Sequence, residues 1–394
     1  MTRLLVPLAG LAFISLGLPD GLLGVAWPSI RAFFGVPLDA LGTLLVASTA
    51  GYVASSFSSG RLLRLMNLGS VLALSCVLTA LGLLGYATAS HWPVMIALGL
   101  LLGTGAGAID SALNAYAATH YGARTLNWLH ACYGIGAAAG PVLMTAVLRR
   151  GLPWQRGYAI VGIAQVALAG CFALTIRWWP ATGGTGARST GGGVATLGAT
   201  LTRPAARLGV AVFFVYSGVE ASIGAWTYTL LTDGRAMSPV QAGSVVTVYW
   251  GSLTAGRLLA ASAGGRIGVQ RMLTVALWGL AAGTMLMWLN AGAVMTFAGI
   301  ALAGCACGPV FPTLVATTPG RIGPEHAANA VGFQIASSAL GLSLVPGLVG
   351  VVADRLGVET IATLLVVLAA LVLIVYRRLD VVAPVGGTST VTSG

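Results

Sequence analysis

Apolar runs of about 20 residues follow one another along almost the whole of this 394-residue chain. An α-helix needs about 20 mostly apolar residues to cross a hydrocarbon layer of about 30 Å. Only 7% of the residues are charged and 57% are hydrophobic, a balance too apolar for a water-soluble protein. We therefore predict an all-α polytopic membrane protein with twelve transmembrane helices, at residues 4–32, 39–60, 69–89, 93–118, 126–148, 156–177, 208–231, 239–262, 270–289, 293–317, 327–351 and 358–377.

The charge of the chain is carried by arginines at the ends of the apolar runs. The formal net charge is +11 and there is no lysine, but the arginines do not build the solvated basic face that binds nucleic acid. With both termini cytoplasmic, 14 of the 20 arginines lie at the inner side of the membrane, as the positive-inside rule requires. We expect a multi-pass protein of a bacterial cell (inner) membrane, with cytoplasmic termini and the lipid bilayer as a partner.

A segment rich in Gly, Ser, Thr and Arg separates two sets of six apolar runs. It covers residues 179–207, lacks apolar periodicity and is predicted to be a flexible cytoplasmic linker. The predicted organisation is an N-terminal six-helix half at 1–178, this linker, a C-terminal six-helix half at 208–378 and a cytoplasmic tail at 379–394. We expect the first apolar run to be a span rather than a signal peptide, because it is too long and contains an acid.

The two halves resemble each other at a shift of about 200 residues. Asp20 falls on Glu220 and Gly24 on Gly224. Further matches at this or a slightly larger shift are Gly51 with Gly251, Gly103 with Gly304, Gly107 with Gly308, Gly136 with Gly341, and Pro141 with Pro346. Two six-helix halves related by a pseudo-two-fold axis along the membrane normal are typical of parallel-repeat transporters, whose substrate site lies between the halves near the midplane. The small residues also indicate close packing between helices.

Three acidic side chains lie well inside predicted spans. Asp20, Asp110 and Glu220 fall in spans one, four and seven, and a charge near the centre of a span costs about 2.5 to 3.5 kcal/mol on insertion scales. Desolvation disfavours the ionised form of a carboxyl, so such a group can exchange protons and bias a conformational equilibrium. We interpret all three as ion-coupling residues. The alternative is a structural carboxyl paired with hydroxyls or an arginine.

The residues on either side of Asp20 lead to a prediction about the first helix. Pro19 and Gly21 are predicted to allow a local break in the first helix. A break would leave backbone carbonyls free beside the carboxyl group where the span lines a cavity.

Polar residues at helical spacing predict the lining of the cavity. Asn114 lies one turn beyond Asp110, while Asn127 and His130 are three residues apart on span five. His130 could share a proton with Asp110 or simply bond a carbonyl of a neighbouring helix. Gln334 is expected to border the central cavity, with a role in holding helices together as the alternative.

Aromatic and basic residues complete the candidate site. Trp226 and Trp250 lie well within spans seven and eight, where an aromatic face can pack against the C–H side of a sugar ring. Core or lipid-facing packing is the alternative. Arg257, toward the inner end of span eight, is interpreted as a gating residue or as a residue that reaches the headgroups. No metal or cofactor is expected, since the cysteines lie inside spans without metal-ligand spacing.

Four segments resemble a known family. They are "GLPDGLLG" on span one, "GTGAGAIDSALNAY" on span four, "LNWLHACYGIGAAAGP" on span five and "YSGVEASIGAWTYTLL" on span seven. The chain resembles the major facilitator superfamily and, within it, the fucose, galactose and glucose permease group of cation symporters. The resemblance implies that Asp20 and Asp110 handle proton coupling and sugar contact, and that the polar residues after "LN" line the cavity.

The chain departs from that family at two points. The acid of span four is usually Glu in the fucose permeases, whereas here it is Asp110. The loop between spans two and three, "SGRLLRLMNLG", lacks the usual Asp and carries Arg61 and Arg64, which we interpret with Arg257 as gating residues.

Two functions follow as hypotheses. The first is a secondary active, proton-coupled symporter of a monosaccharide, a hexose or deoxyhexose, that works by alternating access as a monomer, with Na⁺ as the alternative coupling ion. The second is a proton-coupled antiporter for drug or metabolite efflux, because "GIGAAAGP" resembles a motif of superfamily antiporters. The chain has no phosphate loop and no nucleophile and base pair, so neither an ATP-driven pump nor an enzyme is expected.

Overall fold

The protein is a bundle of long helices. The structure, a computed structural model, describes residues 2–120, 123–179, 195–263 and 268–384, without the side chains of 2–4, 118–120, 123–127 and 263. There is no strand among these residues. The α-helices are α1 Thr2–Phe34, α2 Ala40–Leu65, α3 Leu68–Thr88, α4 Trp92–His120, α5 Ala123–Arg149, α6 Gln155–Thr175, α7 Leu197–Leu201, α8 Pro204–Thr229, α9 Pro239–Ala263, α10 Val269–Leu289, α11 Ala293–Ile322, α12 Pro324–Leu356 and α13 Thr360–Val382.

Twelve of these helices are long, which confirms the predicted fold class. Eleven of the described helices are long and apolar enough to cross a membrane. The twelfth, α9, has 25 residues but carries Gln241, Ser244, Thr254 and Arg257, which lower its hydropathy. It packs between α5 and α11 inside the bundle. The six helices α8 to α13 repeat the order of α1 to α6.

Short connections make each helix run back along the one before it. The start of α1 and the end of α13 therefore lie at the same end of the bundle. We call this the terminal end; it holds Thr2, Leu65 and Val382. The opposite end, which holds Phe34 and Ala40, we call the far end.

Matched glycines make the same contacts in both halves. A Cβ atom on Gly136 of α5 would collide with the carbonyl oxygen of Ile14 on α1, and one on Gly341 of α12 would collide with that of Phe214 on α8. Gly103 and Gly107 likewise bring α4 against α2, as Gly304 and Gly308 bring α11 against α9. The repeat seen in the sequence is thus a repeat of backbone contacts. Gly51 and Gly251 are an exception, because only Gly51 has a close neighbour.

The two halves close against each other at the far end. Gly24 of α1 crosses α8 at its own counterpart, Gly224. Beyond this crossing, a Cβ on Gly42 of α2 would lie 2.8 Å from the Cα of Gly347 on α12, and the matching seam brings Gly243 of α9 onto α5. The backbones of the two halves touch at the first two of these points, and at the third Gly243 touches the side chain of Thr145. These contacts close the far end.

The first helix does not break at Pro19 and Gly21, so that prediction is wrong. Helix α1 is continuous from Thr2 to Phe34 with three prolines inside it. A proline within a helix removes one N–H donor and need not interrupt the chain direction. Gly21 serves packing instead, because a Cβ atom there would collide with the carbonyl oxygen of Ala137 on α5.

The second part of the predicted linker is folded. Residues 180–194 lie outside the described part, but Thr196 caps the short helix α7, and this helix is held on the start of α12. The Thr200 hydroxyl lies 2.9 Å from the His326 ring, and the Asn329 amide donates to the carbonyl of Ala195 at 2.8 Å. These bonds fix residues 195–203 to the C-terminal half, so they are not a flexible connection.

Two glycines on α12 provide a test of the packing argument. Alanine is favoured over glycine in a helix by up to about 1 kcal/mol, but a methyl group in a full site costs about 1 to 3 kcal/mol. We expect Gly341→Ala to lower the thermal unfolding midpoint in detergent, while Gly332→Ala, which meets nothing within 4 Å, leaves it equal or higher. Equal midpoints for both variants would contradict the packing role of Gly341.

Candidate functional site

Asp20 lies at mid-depth on α1 and is exposed. Its carboxylate accepts a hydrogen bond from the Tyr133 hydroxyl of α5 at 2.6 Å. Helix α1 packs against α4, α5, α6, α8 and α9, so an exposed side chain here faces a cavity inside the bundle and not the lipid. The halves are in close contact beyond Asp20 at the far end, so we expect this cavity to open toward the terminal end.

Asp110 is held by two polar neighbours within the N-terminal half. The Tyr52 hydroxyl of α2 donates to one carboxylate oxygen at 2.5 Å, and the Asn114 amide, one helical turn away, donates to the other at 2.9 Å. His130 of α5 is close enough to Asp110 for electrostatic interaction, and its ring meets the edge of Phe13 at 5.4 Å between centroids. The predicted grouping of Asp110, Asn114 and His130 is thus present in the structure.

Glu220 differs from the other two acids because it has a cationic partner. The guanidinium of Arg257 on α9 lies 3.6 Å from its carboxylate, and the Tyr216 hydroxyl lies 2.5 Å from the other oxygen. The Tyr249 hydroxyl of α9 donates to the backbone carbonyl of Glu220 at 2.8 Å. Arg257 therefore points into the bundle, and the expectation that it reaches the headgroups is wrong.

Arg257 of the C-terminal half lies at the same level of the bundle as the polar side chains of the N-terminal half. The Arg257 guanidinium is close enough to the Tyr133 hydroxyl and the His130 ring, both of the N-terminal half, for electrostatic interaction. Among the described residues, neither Asp20 nor Asp110 forms an ion pair. The site therefore combines two carboxyl groups held by neutral donors with one carboxylate that is held by an arginine.

The two tryptophans occupy different surroundings. Trp226 is fully buried, and its indole N–H donates to the carbonyl of Pro346 on α12 at 2.9 Å. It packs between helices of the C-terminal half, so the structure does not bring it to the cavity. Trp250 lies over Gly224 beside the crossing of α1 and α8, and its indole N–H has no partner among the described residues. Of the two rings, Trp250 remains the candidate for substrate contact.

Other candidate residues fall outside this cluster. Gln334 is buried, accepts a hydrogen bond from Thr318 of α11 at 2.9 Å and crowds Gly209 of α8, so it holds helices together instead of lining the cavity. Arg61 and Arg64 are exposed at the terminal end of α2 and form no ion pair with another described residue. Asn127 belongs to α5, but its side chain lies outside the described part of the structure.

The predicted site residues did not include the tyrosines that contact the acids. Tyr52, Tyr133 and Tyr216 each place a hydroxyl on a mid-depth carboxylate. Helical spacing gives a signal for two of them, because Tyr133 follows His130 by three residues and Tyr216 precedes Glu220 by four. Tyr52 comes from another helix, and nothing in its local sequence marks it.

Two membrane-embedded six-helix halves that enclose a polar cavity, sealed at one end, define a secondary transporter rather than an enzyme. The chain belongs to the Major Facilitator Superfamily: residues 9–232 and 208–391 each match the pattern of that family. The two matches correspond to the two halves of the bundle.

Curated relatives share 22 to 27% of their residues with this chain. Bypass of stop codon protein 6 of Saccharomyces cerevisiae is 22% identical over 91% of this chain and 79% of its own length. The TsgA homolog of Erwinia tasmaniensis is 27% identical over 58% of this chain and 57% of its own length. Sodium-dependent glucose transporter 1 of Danio rerio is 23% identical over 88% of this chain, which spans 64% of that protein.

Solved structures share the fold at lower identity. The nucleoside transporter NupG superposes with a TM-score of 0.78 at 14% identity, over 94% of this chain and 98% of that one. The D-xylose-proton symporter gives 0.74 at 14% identity, over 94% and 96%. The Escherichia coli fucose:proton symporter FucP gives 0.62 at 18% identity, over 94% and 97%.

The ion pair of Glu220 with Arg257 makes a prediction about stability. Removing one partner of a largely buried pair leaves the other charge uncompensated. We expect Arg257→Gln to lower the free energy of unfolding by about 1 to 3 kcal/mol. The double variant Glu220→Gln, Arg257→Gln should recover part of that loss, as measured by thermal unfolding in detergent. A double variant less stable than Arg257→Gln alone would contradict the pairing.

Proposed function

We propose that this transporter is a symporter that couples the entry of protons to the uptake of a neutral monosaccharide, a hexose or deoxyhexose. It works by alternating access, as a monomer, in the inner membrane of a bacterium. The observation that carries the proposal is the contrast among the three acids: Asp20 and Asp110 have only neutral hydrogen-bond donors, while Glu220 is paired with Arg257. A carboxyl without a cationic partner is the one that gains most from binding a proton in an apolar surrounding.

The position of Asp20 supports its role in coupling. It is exposed to the cavity and yet lies on α1, next to the crossing of α1 and α8 where the halves meet. A proton that enters from one side of the membrane and neutralises Asp20 removes a charge from this seam. The change in charge can then alter the balance between the two conformations of the bundle, because the two conformations hydrate the carboxyl differently.

The chemistry of the lining supports a neutral, polyhydroxylated substrate. Tyr52, Tyr133 and Asn114 offer hydroxyl and amide groups, and the carboxylates accept hydrogen bonds from sugar hydroxyls. Arg257 is engaged by Glu220, which leaves no free cation for an anionic substrate among the described residues at this level. Relatives and structural neighbours named for glucose, fucose and xylose agree with a sugar.

The orientation in the membrane is part of the proposal. We assign the terminal end to the cytoplasm, because the arginines are concentrated there. Arg257 is not counted because it points into the bundle; of the other 17 arginines in the described part of the chain, 11 lie toward the terminal end. With this orientation the cavity opens toward the cytoplasm.

Transport in proteoliposomes tests the coupling role of the two acids. We expect an inward proton gradient to drive accumulation of a hexose or deoxyhexose by the wild type. Asp20→Asn and Asp110→Asn should lose this accumulation about tenfold or more, while they still exchange preloaded sugar, because exchange needs no net proton movement. The matched control is Asp233→Asn, an exposed acid at the far end, which should accumulate sugar normally.

Full accumulation by both variants would remove Asp20 and Asp110 from the coupling mechanism. The same assay with a sodium gradient at fixed pH identifies the coupling ion, which matters because one relative is named as sodium-dependent. Accumulation driven by sodium alone would replace the proton in the proposal and leave the sugar unchanged.

The second candidate function is proton-coupled efflux of a cationic drug or metabolite. It is favoured by the charge of the site, where three carboxyl groups face one arginine. A cationic substrate would be attracted to Asp20 and would compete with the proton for it. Proteoliposomes loaded with a cationic dye distinguish the two functions: a symporter leaves the dye gradient unchanged, whereas an antiporter expels dye when protons enter.

A further inference from the structure

We propose that Asp354, near the end of α12, is the lock that holds the two halves together at the far end. Its carboxylate accepts a hydrogen bond from the backbone N–H of Leu38 at 2.9 Å. Leu38 belongs to the N-terminal half and lies just before α2, while Asp354 belongs to the C-terminal half. The bond therefore crosses the interface that must open when the cavity changes sides. The inference rests only on the alternating-access part of the proposed function.

This contact is unusual among those between the halves. Among the described residues it is the one hydrogen bond that joins a residue of α1 to α6, or their loops, to a residue of α8 to α13, and no ion pair crosses the interface. The rest of the far-end seam is made of close contacts between glycine backbones, such as Gly42 with Gly347 and Gly24 with Gly224, and of side-chain contacts such as Thr145 with Gly243. These contacts contain no directional bond, so the hydrogen bond of Asp354 is the polar contact that adds to them.

The start of α2 is well suited to receive a carboxylate. The residue at its N-cap, Asp39, makes no side-chain capping bond, so the helix lacks the cap that its own sequence could supply. The first N–H groups of a helix carry a partial positive charge that favours an anion. The Asp354 carboxylate approaches this end of the helix from the opposite half, on the N–H of Leu38, two residues before the first residue of α2.

Close packing brings Asp354 within reach of Leu38. One turn before it on α12, Gly350 lies against the ring of Trp226 and the Cα of Asp39. The absence of side chains at Gly42 and Gly347 lets the two backbones approach. Any rotation that separates α2 from α12 lengthens the bond to Leu38, so the bond belongs to the conformation that is closed at the far end.

At the matching contact of α9 with α5, on the other side of the bundle, the described residues form no such hydrogen bond. At the shift of 205 residues that pairs Gly136 with Gly341, Asp354 falls on Arg149, which cannot accept a hydrogen bond. There the close contact is between Gly243 of α9 and Thr145 of α5, whose hydroxyl has no partner among the described residues. The polar contact therefore joins α2 to α12 and has no counterpart between α5 and α9 among the described residues.

Hydrogen exchange of the full-length protein in lipid nanodiscs, followed by mass spectrometry, tests the lock without any substrate. In Asp354→Ala the amides at residues 38–46 should exchange about five- to tenfold faster than in the wild type, because loss of a charge-assisted bond raises the population open at the far end. The antiparallel register of Gly42 with Gly347 would place residues 57–65 opposite residues 324–332 when the terminal end closes. Exchange at 57–65 should therefore become slower in the same variant.

Two further variants make the result specific. Asp354→Asn keeps an oxygen acceptor and should lie between the wild type and Asp354→Ala. Asp233→Ala removes an exposed acid at the same end whose hydrogen bond is to its neighbour Thr232, and should match the wild type. Unchanged exchange at 38–46 in Asp354→Ala would overturn the proposal, and so would faster exchange at both ends, which indicates general destabilisation. Because the readout needs no sugar or proton gradient, a failure here is distinct from a failure of the symport assay.

Discussion

The position of three carboxyl groups at mid-depth in an apolar bundle is the constraint on which the rest of the structure depends. A charge at this depth is costly unless water, a hydrogen-bond donor or an opposite charge is close to it. The protein meets this requirement in two ways. Glu220 receives an arginine as well as the Tyr216 hydroxyl, whereas Asp20 and Asp110 receive hydrogen bonds from neutral donors alone. Under the proposed function, the two acids without a cationic partner are the ones that bind a proton.

The helices that supply those partners must be free to move against each other. Glycines permit this, because the contacts between the halves at Gly24 with Gly224 and Gly42 with Gly347 contain no side chains that interlock. Within each half the same residue type holds the helices firmly, as Gly136 does against Ile14. Under the proposed alternating access, glycine contacts of this kind can separate without the repacking of side chains, so that each half moves as a body.

The sequence was a good guide to the parts that depend on composition and on the repeat. The rarity of acids within apolar runs identified Asp20, Asp110 and Glu220, and the shift between the halves identified glycines that make equivalent contacts. Helical spacing also grouped Asn114 with Asp110.

Features that depend on how one helix is rotated against another could not be predicted in this way. The depth of Trp226 and Gln334 was foreseen, but each points into the packing of the C-terminal half and away from the cavity. Arg257 was expected to act as a gating residue or to reach the headgroups, because its backbone lies toward a helix end, whereas its long side chain turns inward to Glu220. The pattern of residues along one helix does not show which neighbouring helix each side chain contacts.

The two halves have the same arrangement of helices but different polar side chains, and this difference bears on the mechanism. At the repeat shifts, Asp110 falls on Phe311, Tyr52 on Leu253 and Tyr133 on Ser338. The C-terminal half therefore has no counterpart of Asp110, and its acid Glu220 is held by Arg257 as well as by the Tyr216 hydroxyl. Conversely, Arg257 falls on Ser56.

Under the proposed function, protons are therefore taken up by the N-terminal half while the charge of the C-terminal half stays balanced. A change of charge on one half alone alters the attraction between the halves, and Arg257, which lies near Tyr133, is the group that would sense it. A symmetric pair of protonatable sites would change the charge of both halves together; the asymmetric arrangement lets a single proton alter the interface itself.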